Sequence, residues 1–203
     1  MPPSAEPFVT GFVLAAGGSR RLGEPKQLLR LGSATLLDQV LDTARASGFD
    51  QLIVALGGSA EEVRREVDLS GAEVVVNRDY EAGCSSSIAA GLSAVDARAR
   101  VMVLMLGDQP GVTADAVRRL VAGRGEDTKL VVCRFDDGRG HPVAFGRAMF
   151  GGLGALHGDK AIWKLIDRLG DETVEVRVPG PIPPDVDTRA DYEALLAAAG
   201  PGS

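Results

Sequence analysis

Short apolar runs punctuate the chain at 11–14, 51–56, 73–76, 101–106, 130–135, 142–145 and 174–178. They are rich in Val, Ile and Leu and mostly unalternated, the pattern of strands buried on both faces. Between the first two runs, Leu37, Val40, Leu41 and Ala44 recur at helical spacing, and the stripe stops at Gly48, a residue suited to closing a helix. Ser59 and Glu62 have capping-box spacing, ahead of Val63 and Val67 on one helical face. Ile88, Leu92 and Val95 mark the next helix, and Val117, Leu120 and Val121 another behind Thr113 as N-cap. Helices are also expected near 147–156, 160–169 and 191–199.

Strand–helix alternation of this kind predicts an α/β protein, a Rossmann-like and mainly parallel sheet with helices on both faces. The Pro/Gly-rich stretch 179–184 is too short to separate domains, so residues 1–203 are expected to form one domain. In such a sheet, ligands bind beyond the carboxyl ends of the strands. The residues that follow each apolar run are therefore the ones to inspect for chemistry.

Composition narrows the classes. The 203 residues carry 22 Lys and Arg against 28 Asp and Glu, a net charge of −6. That argues against a nucleic-acid surface, which needs a basic stripe. Surface scaling lets a chain of this mass bury about 70% of its unfolded surface, so a core needs no staple. Cys84 and Cys133 make neither a disulfide framework nor a C-x-x-C zinc pair. The longest apolar runs, VMVLML the clearest, fall far short of the ~20 residues that span a bilayer. Residues 1–7 lack the basic start and apolar stretch of a signal peptide. A soluble cytoplasmic protein without membrane contact is expected.

After the first run comes LAAGGSRRLGEPKQLLRLG, residues 14–32. The small residues Ala15, Ala16, Gly17, Gly18 and Ser19 let backbone N–H groups approach a ligand, and successive amides in such a turn form an anion site. Arg21 and Lys26 add full positive charge, the arginine as a forked donor for phosphate oxygens. A triphosphate is the natural partner. The spacing matches neither the dinucleotide fingerprint nor the P-loop. A glycine-rich turn with solvated arginines is the plainer alternative.

The string L-A-A-G-x-S-x-R-x-G-x-x-K, Leu14 to Lys26, resembles the signature of the MobA-like nucleotidyltransferases, which include the molybdenum-cofactor guanylyl- and cytidylyltransferases. Further landmarks of that family follow in order: Asn77, Tyr80, Gly83 and the serines 85–87; Gly107, Asp108, Gln109 and Pro110; Gly140, His141 and Pro142; and Asp185, Asp187 and Thr188. The resemblance covers about 10–196 and implies a nucleotide-diphospho-sugar-transferase-like fold.

It also implies a reaction. An acceptor oxygen attacks the α-phosphorus of a nucleoside triphosphate and pyrophosphate leaves, with Mg²⁺ held by Asp108 and Asp187. An Asp satisfying turn amides before Pro110 is the alternative for the first, and helix capping by Asp187 or Thr188 the alternative for the second. Arg21, Lys26 and Asp108 are the catalytic candidates. Leu14 to Ser19, Asn77, Gly83, Ser85, Ser86, Gln109, Pro110 and His141 are the substrate-binding candidates. An ordinary N-cap at Ser85 would explain one of the three hydroxyls but not all of them, and the alternatives for His141 and Asp185 are a locally bonded histidine and a solvated acid. Cys84 reads as a small apolar residue.

Ala16 stands where the guanylyl branch has glycine, and together with the Gly107–Pro110 and Gly140–Val143 motifs the resemblance leans toward CTP and a molybdopterin acceptor, with transient contact to a molybdoenzyme or its chaperone. The chain departs from the cytidylyltransferase pattern at Ala161, Ile162 and Trp163, where Gly, Ala and Arg are expected. Another phosphorylated acceptor, or recruitment of the fold as a NAD(P)H-dependent reductase, are the competing functions.

Overall fold

The computed structural model describes residues 6–158 and 160–200, so most of the N-terminal segment read above for a leader lies outside the described residues. In chain order the elements are β1 (Val9–Ala15), β2 (Arg30–Leu31), β3 (Ala34–Thr35), α1 (Leu36–Ala46), β4 (Gln51–Leu56), α2 (Ala60–Glu66), β5 (Glu73–Val76), α3 (Cys84–Leu92), β6 (Val101–Leu106), α4 (Ala114–Ala122), β7 (Leu130–Arg134), β8 (Arg139–Gly146), α5 (Phe150–Leu153), α6 (Ala161–Leu169), β9 (Thr173–Arg177) and α7 (Arg189–Ala199). Seven strands form one sheet in the order β5-β4-β1-β6-β8-β7-β9.

Four pairings are parallel. The two that β8 makes, with β6 and β7, are antiparallel. The sheet is thus mainly parallel with one reversed strand, a reversal that the run 142–145 could not announce because a buried strand reads the same in either direction. Between the Val132–Val143 and Cys133–Gly140 partners, β8 carries His141 and Pro142 as extra residues. Such a bulge re-aims side chains beside a site, and Pro142 has no N–H to offer the ladder.

Alternate residues of the strands feed two cores. Val9 and Val13 face the core closed by Leu37, Leu41, Val63 and Leu120 of α1, α2 and α4. Phe12 faces the opposite core, closed by Ile88, Leu153, Ile162 and Leu165 of α3, α5 and α6. The outermost strands depart from expectation. β5 is only partly covered and Val76 is 43% exposed, because an edge strand has a neighbour on one side only.

Helix ends follow local chemistry. Thr35 with Asp38, and Thr188 with Asp191, form reciprocal capping boxes. Thr113 accepts from the Ala116 amide, as expected. Ser59 does not cap α2: its backbone is outside the extended region a capping residue needs and its hydroxyl makes no cap bond. The stretch 147–156 is one 3₁₀ turn followed by the short α5 rather than a full helix. The β2–β3 hairpin, two residues per strand, is too short to leave an apolar period.

The chain runs from β1 outward to β4 and β5, then returns across to β6. This places the topological switch point between β1 and β6, and their carboxyl ends open on the same side.

Candidate active site

The loop leaving β1 folds back on itself at Ser19, whose φ of 48° lies in the left-handed region. The Ser19 carbonyl accepts from the Leu22 amide at 3.0 Å and the Gly23 amide at 3.2 Å. Its Oγ accepts from the Lys26 amide at 2.9 Å. Gln27, 3% exposed, donates from Nε2 to the carbonyls of Ala15 (2.6 Å) and Gly17 (3.1 Å). These bonds return Lys26 to the end of β1. At Gly107 the close approach of β1 and β6 demands glycine, since a Cβ there would lie 2.9 Å from Ala15 Cβ.

Asp108 follows β6 and Asp187 precedes α7. The Val186 amide donates to the Asp108 carbonyl at 3.1 Å, and the Val186 side chain is buried with Leu29, Leu31 and Leu36. That small core fixes the 185–188 segment beside the 107–110 turn. Lys26 Nζ then bridges the acids, bonded to Asp108 and lying 2.8 Å from Asp187 Oδ1. Arg21 reaches Asp187 Oδ2 at 2.7 Å. Burial alone would lower the Lys26 ammonium, but the Asp108 charge and the bonds to both acids outweigh it and hold it above its usual value. The hydrogen bond from Lys26 holds the Asp187 carboxyl below its usual range against desolvation. Thr188 is the cap of α7, which leaves the Asp187 carboxylate facing the cleft.

These groups line an open cleft of about 400 Å³ at the switch point. Of the residues singled out in the sequence, Leu14, Ala15, Ala16, Gly17, Gly18, Ser19, Arg21, Lys26, Gly83, Asp108 and Asp187 all contribute to its wall. Tyr80 and Ser87, named above as family landmarks without a site role, also line it, and the tertiary structure adds Gln27 together with Arg20 and Glu81, which pair at 2.6 Å. Gln27 carried no readable signal, because a lone glutamine before LLRL looks like any surface residue.

A second cavity of about 300 Å³ shares Cys84 and Leu106 with the first. It holds Gln109, Arg139, His141, Ile162, Trp163 and Asp185. The His141 and Trp163 rings meet edge to face at 5.2 Å. Burial pushes His141 down to about 4, so its imidazole is neutral at pH 7. Two buried atoms here, His141 Nδ1 and Gln109 Oε1, have no hydrogen-bond partner among the described residues. Desolvation, then the charges of Asp108 and Asp187, raise the Asp185 carboxyl to about 6. Asp185 is exposed to solvent, as expected, yet it also lines this cavity and feels the charge of the acid pair.

Four sequence candidates stand off both walls: Asn77, Ser85, Ser86 and Pro110. Asn77 Nδ2 donates to Ser86 Oγ (2.8 Å) and Ser87 Oγ (3.0 Å). Ser86 Oγ lies within 2.9 Å of the Asp79 carbonyl and 2.7 Å of the Gly83 carbonyl. Ser85 is not an N-cap either: Gly83 holds that position and Ser85 Oγ accepts from the Gly158 amide at 3.0 Å. These polar groups brace the wall rather than form it.

The donors for a metal are oxygens only. Asp108 and Asp187 already converge on one cation, the Lys26 ammonium, and no group of three or more possible ligands exists among the described residues. Two carboxylates completed by phosphate oxygens and water suit a small hard divalent ion.

A cationic loop facing paired acids at the switch point of a mainly parallel sheet fits the nucleotidyltransferase class. The chain belongs to the MobA-like NTP transferase domain family, whose model matches residues 11–174. It is 52% identical to a solved Mycobacterium sp. strain JC1 homologue of Rv0371c, with 94% of this chain and 96% of that one covered and a TM-score of 0.89. It is 47% identical to Mycobacterium tuberculosis Rv0371c, solved in complex with manganese, over 94% of this chain and 98% of that one, with a TM-score of 0.84. Among curated proteins it is 33% identical to nicotine blue oxidoreductase of Paenarthrobacter nicotinovorans over 144 residues, 68% of this chain and 70% of that protein. No helix among the described residues is long and apolar enough to cross a membrane.

Proposed function

We propose that this protein is a CTP:molybdopterin cytidylyltransferase that binds the triphosphate in the first cleft and the acceptor in the second. The carrying observation is the convergence of Lys26 and Arg21 on Asp108 and Asp187 at the cleft floor. An acceptor phosphate oxygen forms a bond to the α-phosphorus, the α–β bridging bond breaks, and its electron pair leaves with pyrophosphate. Lys26, Arg21 and the 15–19 loop hold the departing charge and align the chain of phosphates, the main contributions available to phosphoryl-type transfer. Asp108 and Asp187 would hold a divalent ion, Mg²⁺ by preference, which neutralises phosphate oxygens when bound. The manganese complex of Rv0371c supports a divalent ion.

A phosphate monoester has its second pKa near ~6 and attacks as a dianion without a general base. His141, neutral and buried in the second cavity, is not needed as one. Ala16 narrows the nucleotide end in favour of a pyrimidine, a preference of ~1–3 kcal/mol. His141 Nδ1 and Gln109 Oε1, both buried and without partners among the described residues, suit a ring rich in hydrogen-bonding nitrogens such as a pterin. Trp163 adds an aromatic wall where the family pattern has arginine.

Pyrophosphate release from CTP, GTP, ATP and UTP, each with Mg²⁺ or Mn²⁺ and molybdopterin, tests the reading. CTP-dependent release supports it; release with GTP alone overturns the base assignment, and no release with any pairing overturns the acceptor. The likeness to nicotine blue oxidoreductase favours a second reading, a NAD(P)H-dependent reductase. Oxidation of NADPH with nicotine blue, in the absence of pyrophosphate release, would establish that one instead.

A further inference from the structure

At the opposite end of the sheet lies a cleft of about 660 Å³ that the reaction does not use. Asp108 follows the carboxyl end of β6 and Arg100 precedes its amino end, so the strand's six residues separate the two clefts by about 20 Å at ~3.3 Å per residue. Arg100, Arg124 and Arg147 all line it. Backbone bonds bring them together. The Arg147 amide donates to the Arg100 carbonyl at 2.9 Å, and the Gly146 amide to the Lys129 carbonyl at 2.9 Å, which seats the 124–128 loop against the end of β8.

None of the three guanidiniums makes a salt bridge among the described residues, although most other arginines of this acidic chain do. Arg124 Nε is sealed from solvent and meets no acceptor among the described residues. Arg147 is held over the Phe150 ring at 5.2 Å, with one long bond of 3.4 Å to the Ala99 carbonyl, so its fork is oriented yet largely free. Glu126 and Asp127 line the same cleft on exposed loop positions and pair with none of the three. Three guanidiniums in one cleft whose two carboxylates pair with none of them repel one another in the empty protein and favour an anion that accepts from several forks at once.

We propose that Arg100, Arg124 and Arg147 form a second oxyanion site, remote from the catalytic cleft, for a phosphoryl group. Its source is free phosphate or pyrophosphate, or the phosphate of a small organic ester. Neither the cytidylyltransferase nor the reductase reading is required for it.

Calorimetric titration of inorganic pyrophosphate into the full chain tests this. Two binding events are expected. Lys26→Ala should remove the one at the catalytic cleft. Arg124→Ala or the pair Arg100→Glu with Arg147→Glu, both at exposed positions, should weaken the other by about tenfold or more, the loss of at least one charge-assisted bond. If Arg124→Ala does not fold, as judged by circular dichroism, the glutamate pair reads the same loss. Titrations with inorganic phosphate and with glucose 6-phosphate separate the sources: saturation by either that is sensitive to the arginine variants supports the site. A single pyrophosphate event that vanishes in Lys26→Ala and is untouched by both arginine variants overturns it.

Discussion

The Lys26 ammonium lies 2.8 Å from Asp187 Oδ1, closing a bridge between positions 161 residues apart, and the same nitrogen is bonded to Asp108. An internal cation therefore occupies the point on which both acids converge. On the proposed reading, a divalent ion would have to displace it from the nucleotide-free protein, and bound phosphates would draw Lys26 off the acids.

Lys26→Met should accordingly strengthen Mn²⁺ binding to the nucleotide-free protein, measured by electron paramagnetic resonance, while weakening CTP binding. Asp108→Ala should abolish pyrophosphate release and leave the melting curve cooperative. Unchanged Mn²⁺ affinity in the lysine variant would show that the bridge does not compete with the metal.

Gln27 holds the loop by two bonds to backbone carbonyls from a nearly closed position. Each such bond is worth about 1 kcal/mol. Gln27→Ala should raise the KM for nucleotide by about tenfold, with a smaller change in kcat, because it loosens the cradle without touching the acids. Steady-state kinetics separates the two parameters.

Ser85 contacts the 158 amide rather than the cleft. Ser85→Ala should lower the melting temperature by a few degrees, equivalent to about 1 kcal/mol, and leave the CTP dissociation constant unaltered. A nucleotide-binding role for this serine would reverse that pattern.

His141 is buried with its pKa displaced from 6.5 to about 4. The unfolded chain then binds more protons than the folded one between these values, so stability falls as pH drops through that window. The full displacement corresponds to about 3 kcal/mol at 1.36 kcal/mol per unit. His141→Gln should flatten the loss of stability between pH 7 and pH 4, read from urea midpoints at each pH.

Asp185 has the opposite sign. Its carboxyl, raised to about 6, binds a proton in the folded state where the unfolded chain has released it, so stability declines as pH rises from about 4 to 6. Asp185→Asn should melt higher than the parent above pH 6, and the two should coincide below pH 4. Equal melting temperatures at both ends would show that desolvation and the acid pair together do not raise this carboxyl.

Local order was written in the sequence. The central strands, the α1 stripe with its stop at Gly48, the Thr113 cap and the loop from Leu14 to Lys26 are set by neighbouring residues, whose periods and turn chemistry act over a few positions. The order of motifs after each strand also identified most of the cleft floor, since topology delivers strand ends to one side of the sheet. Only the folded chain decided the reversal of β8, the exposure of β5, the role of Gln27 and the withdrawal of Asn77, Ser85 and Ser86 into the wall. It also decided that Lys26 would stand between Asp108 and Asp187. Strand direction, edge position and side-chain partners depend on residues far apart in the chain, and no local pattern records which of them will meet.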